Sequence, residues 1–302
     1  MDENIAHWRT SLVEVTSLSR SDKIDVVQFP ETAFCRYFYP DRADLERYGG
    51  AEEAGKGAVF AFCRDMALHF EAYVIAGYIE KVAADAEDVY YVGLYVVGRD
   101  GSLVMNHRKR DLFQADKTWA QPEALPYTTL QMRNVSGQAF TAGLILCQEI
   151  LGPHEAMESM SRPNHVGRQF AKEKVNVVFF SACWPIGNGK RKLMDMWDDQ
   201  LAPMNVCQEG GTPREWLLCV ANGCGEEAAC LTKEQWGHLA GPFGDLSSLK
   251  KKGCSGMKKF SGGEPAVVEG VGVEAPGAGT CTGGVLDVES EGWRLYSVAV
   301  VL

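Results

Sequence analysis

Three residues combine a useful chemistry with a useful place in the chain: Glu31 in VVQFPETAF, Lys109 in NHRKRDLF and Cys147 in GLILCQEI. Each ends a hydrophobic run that reads as a strand. In open α/β sheets, sites gather beyond the carboxyl ends of strands. Amide hydrolysis needs a nucleophile, a base and something to hold an oxyanion, and a thiol, a carboxylate and an ammonium are residue types suited to it. Taken singly, each residue has a plainer reading. A Glu after a strand is ordinarily a solvated cap, and a Cys at a strand end is ordinarily core. The set of three changes that balance.

Other constellations carry less. Cys219, Cys224, Cys230 and His238 are spaced too widely for a structural zinc site, and the chain has no CxxC pair. Gly55-Lys56-Gly57 lacks the length and the Ser or Thr of a phosphate loop. A GxSxG hydrolase elbow and a papain-type cysteine signature are both missing. No cofactor and no metal are expected. A formal net charge of −10 argues against a nucleic-acid partner, which would require clustered Lys and Arg. Lys250 to Lys252, with Lys258 and Lys259, reads as a solvated loop. No apolar run reaches the roughly 18 residues of a membrane span, so no membrane partner is expected. The opening MDENIAHWRT has no signal-peptide pattern. Ten Cys set singly in apolar stretches fit a cytosolic or nuclear protein with reduced thiols.

The elements that must position these residues alternate strand and helix through about residue 185, which argues for an α/β fold. Helices are expected at 2–19, 56–71 and 165–174, where apolar residues recur at helical spacing. Strands are expected at 24–29, 73–77, 142–146, 175–182, 215–221, 266–273 and 293–302. A hairpin is expected over 89–98 and 102–107, turning at Arg99-Asp100-Gly101. Glycine becomes dense from Gly253 to Gly284, a segment expected to form long loops around a strand.

Three blocks in order, PETAF, HRKRDLF and LILCQE, resemble those of the nitrilase, or carbon–nitrogen hydrolase, superfamily. Glu53 to Gly57 is similar to its "E-x-G-K-G" helix start, and Ala76 to Glu80 to its "G-Y-P-E" turn. The resemblance covers roughly residues 2–225. It implies a four-layer αββα sandwich, one domain over 1–302, with the β-structure after residue 215 completing the second sheet. It implies Cys147 as nucleophile, Glu31 as general base, and Lys109 with the backbone N–H of Gln148 as oxyanion donors. Many members carry a second glutamate in the loop after the lysine, for which Glu123 and Asp116 are the candidates here.

Within the superfamily the wording is most similar to the protein N-terminal asparagine amidohydrolases. Trp119 falls ten residues past the lysine, Pro153 follows the nucleophile block, SACWP carries Trp184, and Trp197, Leu201 and Pro203 fit a shared helix. Gln148 and Glu149 depart from that subfamily, as does Arg36 before Tyr37. The implied activity is deamidation of an N-terminal Asn, or Gln, of proteins and peptides, feeding an N-degron pathway. The free α-ammonium needs a carboxylate partner, with Asp116, Glu123 and Glu149 nearest the motifs. Trp119 and Trp184 are candidate pocket walls, with ordinary core packing the plainer reading of each. A small-molecule amidase and a non-catalytic relative are the alternatives. Superfamily members begin with a strand ahead of the first helix. That strand is missing here, so either the chain is shortened or another segment fills its slot.

Overall fold

The computed structural model describes residues 5, 6, 9, 24–152, 165–183, 197–205, 216–222 and 225–226. It also describes the backbone of strands at 250–251, 256–261, 264–268, 271–272, 282–288 and 293–299. The expected helix at 2–19 lies almost wholly outside these residues.

Two sheets make up the centre. The first is built on β1 (Val26–Gln28), β2 (Tyr73–Val82), β3 (Val89–Val97) and β4 (Leu103–Arg108). To these it adds β13 (Val271–Gly272), β14 (Thr282–Val288) and β15 (Trp293–Ala299), in the order β13-β14-β15-β1-β2-β3-β4. The second contains β5 (Thr129–Arg133), β6 (Ala139–Leu146), β7 (Val177–Ala182), β8 (Trp216–Asn222), β11 (Gly256–Ser261) and β12 (Glu264–Val268), in the order β12-β11-β8-β7-β6-β5. A two-residue ribbon pairs β9 (Gly225–Glu226) with β10 (Lys250–Lys251).

Alternation along the strands assigns the layers. Val26, Ile75, Leu94, Leu144, Leu146 and Phe179 point inward and form one core between the sheets. Val27, Val74 and Ala76 point out and meet Val59, Phe62, Cys63 and Met66 of helix α2 (Ala58–Phe70). Ile145, Val178 and Phe180 point out on the other side, against Val166 and Phe170 of helix α3 (His165–Lys172). The order is therefore helix, sheet, sheet, helix, the αββα sandwich. Strands buried on both faces read as nearly continuous apolar runs, which is why 175–182 and 142–146 stand out in the sequence.

The slot beside β1 is occupied. β15 pairs with it in parallel, with Val27 opposite Tyr296 and Gln28 opposite Ser297. The C-terminal segment thus supplies a neighbour where a leading strand was expected to be missing. This also corrects the expectation that everything after residue 215 joins the second sheet. β8, β11 and β12 do, whereas β13, β14 and β15 belong to the first. The glycine-rich stretch carries β11, β12, β13 and the start of β14 rather than a single strand among loops.

Helix α1 (Arg42–Tyr48), capped by Asp41, lies in the connection from β1 to β2. At the start of α2 the N-cap is Gly57, which has no side chain to satisfy the first N–H groups. The buried Glu52 carboxylate does so instead, accepting from Val59 N and Phe60 N at 2.9 Å and from the Tyr95 hydroxyl at 3.0 Å. A Cβ at residue 57 would collide with that carboxylate. Ala76 to Glu80 run inside β2 and do not form a turn.

Candidate active site

The three residues converge at one end of both sheets. β2 is parallel to β1, and β4 is parallel to β2 because two antiparallel steps separate them. The carboxyl ends of β1 and β4 therefore face the same way, delivering Glu31 three residues past Gln28 and Lys109 immediately after Arg108. Cys147 immediately follows Leu146, the last residue of β6 in the other sheet. A buried clip ties the sheets beside this point. Gln28 Nε2 donates to Ser181 Oγ at 3.2 Å, and Ser181 Oγ donates to the Phe29 carbonyl at 2.9 Å.

Two tight backbone features aim the side chains. Thr32 and Cys147 adopt positive φ, 50° and 37°, in the region non-glycine residues rarely enter. Such strain persists where surrounding structure over-determines it. The turn around Glu31 presses on β2 at Gly77. A Cβ there would lie 2.7 Å from Glu31 Cα, the Pro30 carbonyl oxygen and Thr32 N.

Lys109 is fully buried between two carboxylates. Its Nζ donates to Glu31 Oε1 at 2.7 Å and to Asp116 Oδ2 at 2.6 Å. Asp116 Oδ2 also accepts from Phe113 N at 2.9 Å, which fixes the carboxylate at the start of a 3₁₀ turn. An ammonium has three donors, so one N–H remains after these two bonds. Glu31 Oε2 has no nitrogen or oxygen partner among the described residues, and the carboxyl group meets the Cys147 thiol.

Burial decides the electrostatics. It drives the Glu31 carboxyl up to about 7, against the opposing pull of Lys109 and with the Asp116 charge adding to the rise. Burial would push the Lys109 ammonium down, but Asp116 and Glu31 more than reverse this and hold it well above its ordinary value. The Cys147 thiol is pushed well up by burial and then by Glu31, with Lys109 opposing. The resting group is thus a thiol, and proximity to the lysine does not by itself make it a thiolate. A carboxylate whose conjugate acid lies near 7, beside a protonated thiol, is suited to taking the proton during attack.

Of the two candidates for the second carboxylate, Asp116 is the one that joins this cluster. Glu123 turns to Arg108 at 3.9 Å and to the backbone N–H groups of Ala124 and Leu125. Glu149 is fully buried and spent on the scaffold. Its Oε2 accepts from Leu146 N at 2.7 Å and meets His107 Nε2 at 3.0 Å, and its Oε1 accepts from Arg110 N at 2.7 Å. It therefore braces the residues flanking Lys109 against the residue preceding Cys147. Gln148 is buried, with Nε2 donating to the Gly152 carbonyl at 3.4 Å. Trp119 packs edge-on to Tyr39, with ring centroids 6.1 Å apart, in the core between the sheets. Trp184 and Pro153 lie outside the described residues.

Sequence reasoning did not single out Tyr37, whose hydroxyl lies 3.9 Å from Cys147 Sγ, or Cys183, whose backbone N–H donates to that sulfur. Tyr37 sits in a loop of mixed aromatics with no periodic signal. Cys183 could have been found from the parallel pairing of β6 and β7, which brings the ends of both strands together. Among the described residues no group of three His, Cys, Asp or Glu is placed to hold a metal ion. No helix among them is long and apolar enough to cross a membrane. A cleft of about 450 Å³ lined by Ile24, Phe70, Arg99 and Val135 lies at the other end of β1, away from Glu31.

Comparison with known proteins bears on the family and the fold. The carbon–nitrogen hydrolase family model matches residues 1–165. The protein N-terminal amidase of Saccharomyces cerevisiae is 29% identical over 119 residues, covering 39% of this chain and 25% of the yeast protein. The match thus spans about a quarter of that relative's length. Among solved structures, an N-terminal amidase with an Asn-Glu peptide superposes with a TM-score of 0.66 at 14% identity, over 99% of this chain and 93% of the other. A carbon–nitrogen hydrolase from Helicobacter pylori gives a TM-score of 0.60 at 17% identity, over 87% and 81%. These likenesses establish the shared fold. The family match, which covers more than half of the sequence, and that fold lead to one conclusion: the chain belongs to the carbon–nitrogen hydrolase family.

Proposed function

We propose that this protein hydrolyses the side-chain amide of an N-terminal asparagine, or glutamine, of peptides and proteins, with Cys147 as nucleophile. The observation that carries the reading is the buried Lys109 ammonium, held by Glu31 and Asp116 with one donor to spare beside the thiol. Glu31 takes the thiol proton as sulfur attacks the amide carbon. The new oxyanion is met by the remaining N–H of Lys109 and the backbone N–H of Gln148. Collapse breaks the C–N bond, and the proton held by Glu31 leaves with ammonia. Water, deprotonated by Glu31, then attacks the thioester and the thiol is restored. A dry site strengthens each of these electrostatic contacts.

The substrate class rests on the relatives. The yeast protein is a protein N-terminal amidase, and solved N-terminal amidases hold Asn-Glu and Gln-Val peptides. The product, an N-terminal acid, would enter an N-degron pathway in the cytosol or nucleus.

The test is ammonia release from Asn-Gly-Ser-Gly and from its N-acetylated form, with Cys147→Ala as control. Release from the free peptide alone, lost in the variant, supports the reading. Equal release from both peptides would replace it with a general amidase. No release from either, with a folded protein, would sink it.

A further inference from the structure

The mechanism requires a negative charge to pass through a sulfur that is buried away from water. Cys147 is 4% exposed, and the groups facing it are Glu31, Lys109, Tyr37 and Cys183. Lys109 has two of its three donors committed to carboxylates, and its third is needed by the oxyanion. Something else must meet the sulfur as it gains charge. Two donors are in place: the backbone N–H of Cys183 and the hydroxyl of Tyr37, 3.9 Å from Sγ.

Tyr37 is held there firmly. It is 3% exposed, packs edge-on against Phe38 with centroids 4.8 Å apart, and belongs to a loop closed by Cys35 N donating to the Thr32 carbonyl. Arg36 N donates to the Tyr39 hydroxyl at 3.1 Å, which fixes the backbone on one side of the ring. The packing needs only an aromatic ring, so phenylalanine would satisfy it. The hydroxyl adds a donor to that ring, and it meets the sulfur that gives up its proton.

We propose that Tyr37 is a catalytic residue, whose hydroxyl donates a hydrogen bond to the Cys147 sulfur while it carries negative charge. In the resting protein either atom can be the donor. Once the thiol proton has passed to Glu31, sulfur can only accept, and the hydroxyl must donate. The contact is therefore stronger in the charged state than in the ground state, which is the condition for accelerating the chemical step. The same bond acts again when the C–S bond of the thioester breaks and its electron pair returns to sulfur. The phenol proton never leaves oxygen. Burial and the facing charges of Cys147, Asp116 and Glu31 raise the phenol far above its ordinary value, so it stays a donor throughout.

The inference rests on the reading of Cys147 as nucleophile but not on the identity of the amide, and the experiment separates the two. Iodoacetamide labelling of Cys147, followed by peptide mass mapping, is measured from pH 6 to 10 for wild type and Tyr37→Phe, alongside kcat and KM for the Asn peptide. The expected result is labelling slowed about 10-fold near pH 8, with the whole rate-against-pH profile displaced to higher pH, and kcat reduced about 10- to 100-fold with KM little changed. A shifted labelling profile in a protein that turns over no N-terminal peptide keeps Tyr37 and removes the substrate assignment. Unchanged labelling overturns the proposal, whether or not kcat falls, because the hydroxyl then does not serve the sulfur. A Cys147 that resists labelling at every pH in both proteins also overturns it.

Discussion

Glu31 is where activity and stability pull in opposite directions. As the proposed base it must be ionised, and burial, outweighing the attraction of Lys109, raises its carboxyl to about 7. The acidic limb of kcat/KM is therefore expected to turn near pH 7, well above an ordinary glutamate. For stability the sign reverses. A carboxyl whose folded value is raised contributes fully below its unfolded value near 4.5, and the contribution is lost as pH rises through about 7. Wild type should lose stability between pH 5 and 8, on the order of 3 kcal/mol, and Glu31→Gln should lose less over that range. Urea unfolding of the two proteins at both pH values checks the difference. Parallel stability curves would show that Glu31 is already ionised at pH 5. The residue types at 31, 109 and 147 were legible in the sequence because each ends an apolar run. The choice of Asp116 over Glu123 was not, since both follow Lys109 in a loop without periodicity. Only the 3₁₀ turn at Asp116–Thr118 aims one of them back at the ammonium.

At the scale of elements, Glu31, Lys109 and Cys147 are brought together by strand ends and by the close approach of one loop to one strand. Gly77 is the contact point: any side chain there would meet backbone atoms of Pro30, Glu31 and Thr32, which cannot rotate away. Gly77→Ala is expected to reduce kcat by at least about 100-fold while costing about 1–3 kcal/mol of stability, as overpacking typically does. Steady-state kinetics with thermal unfolding reads both. Full activity in Gly77→Ala would mean that the Glu31 turn has freedom the packing does not suggest. The elements found from sequence are those with strong patterns, such as β3 and β7, buried along most of their length. Helix α1 was missed because in seven residues it buries only Leu45. β5 was missed because its five residues alternate exposed and buried beside turn-forming residues. Glu149, from its place beside Cys147, could be read either as a substrate contact or as a structural ion-pair partner, and its three hydrogen bonds brace the scaffold.

At the scale of the whole molecule, the chain closes on itself. β15 lies beside β1, so the last strand of the fold supports the strand that carries Glu31. Without it β1, three residues long, would be held on one side only and would present an open edge. Deleting residues 289–302 is expected to yield a protein that self-associates in size-exclusion chromatography and has lost amidase activity. A monomeric, active deletion variant would show that β1 needs no neighbour on that side. This long-range pairing was not legible in the sequence. An apolar strand at 293–302 could be read from composition, but its partner, 269 residues earlier at Val27 for Tyr296, could not, because nothing local specifies which sheet it joins.

The central claim is that Cys147 forms a thioester with the substrate's side-chain acyl group. Rapid quench of the protein with the Asn-Gly-Ser-Gly peptide, followed by intact mass and peptide mapping, tests it directly. The predicted result is an adduct on Cys147 equal to the peptide mass less ammonia, absent with Cys147→Ala and cleared on further incubation. Ammonia release that persists in Cys147→Ala, with no adduct on the wild-type thiol, would contradict the account.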